Sequence, residues 1–210
     1  LLIFLIGIVA YNIFAECPPN WDSRGIFVNI NGCLYFVVYC YKCGVTGPDG
    51  SNVKITHYSR LPREQQPNPD NCDDSEIPFD IISERVAQDF YQACTFPDCT
   101  THTTNKFILE YPLCERYHNV AWWDAKEQKF KHFLWGESCN SNLYYCQIIR
   151  WCCKLGPNEY QCIRTDIVPQ GNPQGCLEPS SPILPPEGDS RWNESWDTEC
   201  YRLRECVDIK

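Results

Sequence analysis

Three stretches in the first half of the chain carry a clear period. Residues 32–40 read Gly32-Cys33-Leu34-Tyr35-Phe36-Val37-Val38-Tyr39-Cys40, a turn followed by a dense aromatic and β-branched run. That composition predicts a strand. Val53-Lys54-Ile55-Thr56-His57-Tyr58 follows a Gly/Pro/Asp turn and alternates apolar with polar. It predicts a second strand, paired with the first as a hairpin. After a Pro-rich loop at residues 62–71 the period changes. Ile82, Val86 and Phe90 recur every fourth residue, which predicts a helix over residues 78–93 with one apolar face. Pro78 suits its start, and Asp80 and Glu84 lie where the helix dipole favours acids.

The second half repeats this order in diverged form. The run Asn142-Leu-Tyr-Tyr-Cys-Gln-Ile-Ile-Arg-Trp151 matches the first strand. Residues 190–204 carry Trp192, Trp196, Cys200 and Leu203 at helical spacing, with the tryptophans expected to pack on the hairpin. Cys33, Cys40 and Cys94 recur as Cys139, Cys146 and Cys200, each 106 residues on, and Cys99 recurs as Cys206. Cys72 corresponds to Cys176 and Cys17 to Cys114, although a register matching Cys40 to Cys152 is also open. The expected fold is therefore a small disulfide-rich α+β protein. It has two tandem diverged units, each a β-hairpin plus one C-terminal helix. The units span residues 16–103 and 104–210, with the polar run Thr100-Thr-His-Thr-Thr-Asn105 as linker.

Residues 1–15, LLIFLIGIVAYNIFA, are uncharged and almost wholly apolar. They are too short to span a membrane and predict the core of a signal peptide cut after Ala15, its basic n-region missing. Cysteine usage points the same way. All 16 Cys follow that segment, a density that fits disulfide scaffolds of an oxidising compartment. The first unit holds Cys17, Cys33, Cys40, Cys43, Cys72, Cys94 and Cys99. The second holds Cys114, Cys139, Cys146, Cys152, Cys153, Cys162, Cys176, Cys200 and Cys206. Seven and nine are both odd, so one bridge is expected to join the units. Cys162 with Cys152 or Cys153 is expected as an added bridge within the second. Asn193-Glu194-Ser195 is an N-glycosylation acceptor.

The net charge of −9 argues against nucleic acid and anionic membrane partners, which need basic patches. No catalytic centre, cofactor or metal site is predicted. The four histidines, His57, His102, His118 and His132, form no HExxH motif, and Cys40-Tyr-Lys-Cys43 has no second C-x-x-C. Gly188-Asp189-Ser190-Arg191 begins like the run around a trypsin-type serine but lacks the glycines that follow. A helix N-cap turn explains it. A His132–Cys139 pairing for thiol chemistry would need an unpaired sulfur. The acidic run at residues 70–76 lacks EF-hand spacing and reads as a solvated loop.

What remains is surface. Aromatic residues make up 14% of the chain, with 7 Trp and 12 Tyr, more than a small scaffold can hide. Tyr111, Trp122, Trp123, Phe130, Phe133 and Trp135 crowd the region of the long 114–139 loop. Of these, Trp122, Trp123, Phe130 and Trp135 are the candidate partner-binding residues. A local mini-core is the competing reading.

The apolar leader, the Gly32-Cys33-x6-Cys40-x2-Cys43 run and the vicinal Cys152-Cys153 resemble, in layout, secreted cysteine-rich salivary proteins of blood-feeding arthropods such as ticks. Some of these carry von Willebrand factor type C-like units. The helices expected before Cys94 and Cys200 depart from that all-β module. The resemblance implies a secreted, non-catalytic protein that binds or inhibits an extracellular host protein of defence or haemostasis. The alternative is a structural module of matrix or cuticle that binds polysaccharide through its aromatics.

Overall fold

The computed structural model describes residues 17–44, 50–61, 65–68, 72, 78–139, 144–172, 176–178 and 183–206, except the side chains of residues 163–165. The leader at residues 1–15 lies outside them, as does the acidic run apart from Cys72. Strand dominates: β1 (Asp22–Ile30), β2 (Cys33–Lys42) and β3 (Ser51–Arg60) precede the one α-helix among the described residues, α1 (Phe79–Ala93). After it come β4 (Asn105–Pro112), β5 (Cys114–Asp124), β6 (Lys129–Ser138), β7 (Tyr144–Gly156) and β8 (Glu159–Gly171). Two short strands follow, β9 (Trp196–Asp197) and β10 (Tyr201–Arg202).

The expected β2–β3 hairpin is present, with β1 added on its outer edge through a tight turn. That turn uses positive φ at Asn31 and Gly32, a conformation these residues tolerate. On its other side β3 forks. Its first half, Ser51 to Lys54, pairs in parallel with β4, and His57 to Ser59 pairs antiparallel with β6. The register of β2 on β3 slips between Val38 and Tyr39, leaving Thr56 as an extra residue at the fork. Such a bulge bends a strand. One wing continues β4-β7-β8; the other continues β6-β5 and ends on β9 and β10.

Strands of both halves thus share one ten-stranded sheet, which replaces the expected pair of hairpin-plus-helix units. The polar run at 100–105 is a short 3-10 turn leading directly into β4. Nor do the halves repeat their bridges. Cys33 joins Cys72, whereas Cys139 joins Cys200; Cys17 joins Cys40, whereas Cys114 joins Cys176.

The second expected helix is absent among the described residues. Asp189 caps only a 3-10 turn, Ser190–Asn193, by accepting from the Arg191 N–H. The chain then runs extended along β5. The exposed edge of β5 offers unpaired backbone groups, and bridges Cys139–Cys200 and Cys146–Cys206 hold the segment there. Trp192 turns inward and is buried without a helix.

Helix α1 keeps its predicted stripe. Ile82, Val86 and Phe90 are fully buried against the sheet. Phe90 stacks on Phe107 of β4 at 5.0 Å, and Tyr91 stacks on Tyr160 of β8 at 4.8 Å. Arg24 and Tyr39 both hold Asp89, which fastens the solvent side of the helix to β1 and β2.

All 16 cysteines are bridged. Beyond the four bridges already named and Cys146–Cys206, these are Cys43–Cys94, Cys99–Cys153 and Cys152–Cys162. Cys99–Cys153 alone crosses from the first half to the second. The two members of Cys40-x-x-Cys43 go to different partners, as do the vicinal Cys152 and Cys153.

Non-reducing peptide mapping is expected to recover this pattern, with Cys99 linked to Cys153. Replacing that pair by Cys99→Ser with Cys153→Ser removes a cross-link but no strand pairing. It is expected to cost about 2–4 kcal/mol in denaturant unfolding while leaving a single transition.

Candidate binding face

The two wings of the fork have different undersides. Where Tyr58 crosses β6 it lies directly opposite Gly136. A Cβ on that glycine would stand 2.8 Å from the Tyr58 ring, so only glycine fits. Below this contact sits a charged group in the core. The Tyr58 hydroxyl donates to Glu115 Oε2 at 2.5 Å, and Arg204 Nη2 reaches the same oxygen at 2.6 Å. Arg204 also donates to the Pro112 carbonyl at 3.0 Å and lies 3.6 Å over the Phe79 ring. Burial alone would lower the guanidinium pKa, but Glu115 and Tyr58 outweigh it and hold it above its ordinary value. Burial, then the Glu115 charge, pushes the Tyr117 phenol up to about 12. A buried pair of this kind is costly to break from one side.

Past the fork, β5 and β6 continue as an arm closed by residues 125–128. Asp124 accepts from the backbone N–H groups of Lys126 and Glu127 and shapes that turn. Lys131 bridges Asp124 and Glu127 at 2.8 and 2.9 Å. Alternation along the arm sends successive side chains to opposite faces.

One face is inner. His132 stacks on buried Trp192 at 4.8 Å, and the amide of Asn119 donates to the Glu194 carbonyl at 2.6 Å. Trp123 and Phe130, opposite each other in register, lie beyond this cover and are exposed, with rings 5.1 Å apart.

The other face is outer and carries the site. Register places Phe27, Phe36, Ser59, Trp135 and His118 in one row across β1, β2, β3, β6 and β5. Phe27 touches Phe36 at 5.1 Å, and the Phe36 ring packs over Gly25. From Trp135 the apolar surface turns along the arm through Phe133 and Val120 to Trp122. Phe27, Val120 and Trp122 are exposed at 64%, 49% and 41%. For an unpaired sheet face these values mark a solvent-facing apolar strip. Helix α1 lies on the opposite side, against the core residues of β2 and β3.

Trp135 is held rigidly at the bend of this strip. His57 and His118 stack on it at 5.3 and 4.1 Å. Both imidazoles turn Nε2 toward Glu137, at 3.8 and 3.2 Å, and Arg116 also pairs with that carboxylate. His118 Nδ1 meets Asp197 at 2.6 Å, tying β9 to the arm. Burial, partly offset by Glu137, lowers the His57 pKa, and His118 adds to the lowering. Among the described residues no three His, Cys, Asp or Glu side chains are grouped to hold a metal ion.

The four predicted binding residues are thus divided. Trp122 and Trp135 belong to the outer strip; Trp123 and Phe130 face the other way. Tyr111 is buried beside Phe79 in the core. Cys139 is bridged to Cys200, so it has no thiol to offer His132. Sequence reasoning missed Phe27, Phe36, Val120 and the His57–Glu137–His118 clasp. The period-2 alternation of Val120, Trp122 and of Phe133, Trp135 was the one available signal. Compared with protein-family models, curated proteins and solved structures, the chain matches none of them.

Two measurements test this geometry. Arg204→Met leaves the Glu115 carboxylate buried without its countercharge, with an expected loss of about 3–5 kcal/mol. Adding Glu115→Gln is expected to restore part of it, read by a double-mutant cycle. The folded pKa of His57 is depressed, so the unfolded chain takes up its proton first as pH falls. Stability from this group is therefore present above about pH 6.5 and lost as pH falls below it toward the folded value. His57→Gln is expected to flatten the decline of Tm between roughly pH 7 and 5.

Proposed function

We propose that this protein is an extracellular, non-catalytic binding protein that occludes a protein partner with the outer face of its sheet. The carrying observation is the strip from Phe27 and Phe36 through Trp135 to Trp122 on the side away from the helix, exposed at Phe27, Val120 and Trp122 and half-buried at Phe36 and Trp135. Large aromatics fixed at the centre of a surface are the usual anchors of protein interfaces. Trp135, clamped between two imidazoles, has little side-chain freedom to lose on binding, which favours affinity.

The partner's chemistry follows from the strip and its rim. It presents an apolar surface for Phe36, Trp135 and Trp122, and a polar group for the exposed Arg116 at the rim. The eight bridges support export, since such a complement persists only in an oxidising compartment. The layout shared with salivary proteins of blood-feeding arthropods favours a host defence or haemostasis protein as the target.

Polysaccharide binding in a matrix or cuticle is the second reading, because a flat aromatic row also suits sugar rings. Immobilised protein challenged with plasma protein fractions and with chitin separates the two. Selective capture of a plasma protein is expected. Trp122→Ala and Trp135→Ala are each expected to weaken it by about 2 kcal/mol or more, roughly thirtyfold in Kd. Trp123→Ala on the inner face is expected to leave it nearly unchanged. Retention on chitin alone, with no plasma protein held, would reject the inhibitory reading.

A further inference from the structure

The arm bares aromatics on both faces, yet one binding face needs only one. The inner pair, Trp123 and Phe130, stands 53% and 47% exposed, on a stretch of β5 whose outer edge has no strand partner among the described residues. Such a surface invites self-association unless something covers it. The segment that lines this side of the arm carries the acceptor triplet Asn193-Glu194-Ser195.

The placement is specific. β9 runs antiparallel to β5, with Asp197 opposite His118 and Trp196 opposite Asn119. Ser195 continues the pairing: its hydroxyl accepts from the Ala121 N–H at 2.9 Å and lies 3.4 Å from the Ala121 carbonyl. Asn193, two residues earlier, lies between Trp192 and Glu194, whose carbonyls both accept from the Asn119 amide on the inner face. It is exposed and ends the 3-10 turn whose Trp192 packs under His132 on the inner face. The next side chains outward along that face are Trp123 and Phe130.

We infer that Asn193 carries an N-linked glycan that covers the inner side of the arm, over Trp123 and Phe130, leaving the outer strip as the single docking face. The inference rests on the export reading, because the glycan is added in the secretory path. Transfer of the oligosaccharide forms a bond from the Asn193 amide nitrogen to the first N-acetylglucosamine carbon. The lipid pyrophosphate donor leaves and a proton is lost from the amide. In the folded chain the Ser195 hydroxyl is engaged by the Ala121 backbone, so transfer precedes the docking of β9 onto β5.

The test uses the full chain secreted from a eukaryotic host, with intact mass and peptide mapping before and after glycosidase. One downward step in mass is expected, converting Asn193 to Asp and absent in Asn193→Gln. Hydroxyl-radical footprinting of the native protein then reads the cover. Removal of the glycan is expected to raise oxidation of Trp123 severalfold while leaving Trp122 on the outer face unchanged. A secreted, fully bridged chain without sugar on Asn193 overturns the glycan and leaves the export reading standing. A glycan whose removal leaves Trp123 oxidation unchanged overturns the covering role. A chain retained in the cell with reduced cysteines overturns the export reading and the glycan together.

Discussion

A β-strand has two edges, and β3 serves three partners. β2 occupies one edge along its whole length. The other edge is divided between β4, which takes Ser51 to Lys54, and β6, which takes His57 to Ser59. Backbone hydrogen bonding cannot serve two strands at one position, so the sheet must part there. The bulge at Thr56 bends β3 between the two pairings, and each wing departs in its own direction. The parting accounts for the rest of the molecule. One wing lies beneath α1 and closes an aromatic core; the other is carried away from the helix and becomes the arm.

At the point of parting the interior is polar. Tyr58, lying across Gly136, brings its hydroxyl to Glu115, and Arg204 comes from the far end of the chain to neutralise that carboxylate. Ordinary apolar packing would tolerate several arrangements of two diverging wings. A buried charge with one countercharge tolerates few, because a displaced Arg204 leaves the carboxylate un-neutralised in a low-dielectric site, held by the Tyr58 hydroxyl alone. The bridges act alongside. Cys139–Cys200 and Cys146–Cys206 tie the C-terminal segment to the end of β6 and to β7, and that segment supplies Arg204.

The candidate site is a consequence of the same geometry. Because α1 covers only the core side of β1, β2 and β3, the aromatic row from Phe27 to Trp135 is left on the solvent side, and the arm extends it to Trp122. The His57–Trp135–His118 stack gathers side chains from three strands that meet only because β6 joins β3 beyond the fork. Glu137 secures both imidazoles and Arg116 together. What gives this face its form is therefore the register of β6 on β3, a pairing between residues nearly eighty positions apart.

The amino-acid pattern by itself determined the local elements: the β2 and β3 hairpin, the apolar stripe of α1, the Asp189 turn and a fully cross-linked cysteine complement. Each depends on neighbours within a few residues, or on cysteine chemistry that is independent of geometry. The same pattern suggested a duplication and a second helix, since equal spacings of Cys and Trp look alike whatever they pair with. Tertiary structure decided otherwise, because the open edge of β5 had backbone groups to satisfy and drew Trp196–Asp197 and Tyr201–Arg202 into strand pairing. It also decided which of Trp122, Trp123, Phe130 and Trp135 share a surface. Facing is set by strand register, and register across the fork is fixed by hydrogen bonds between segments that no local period connects.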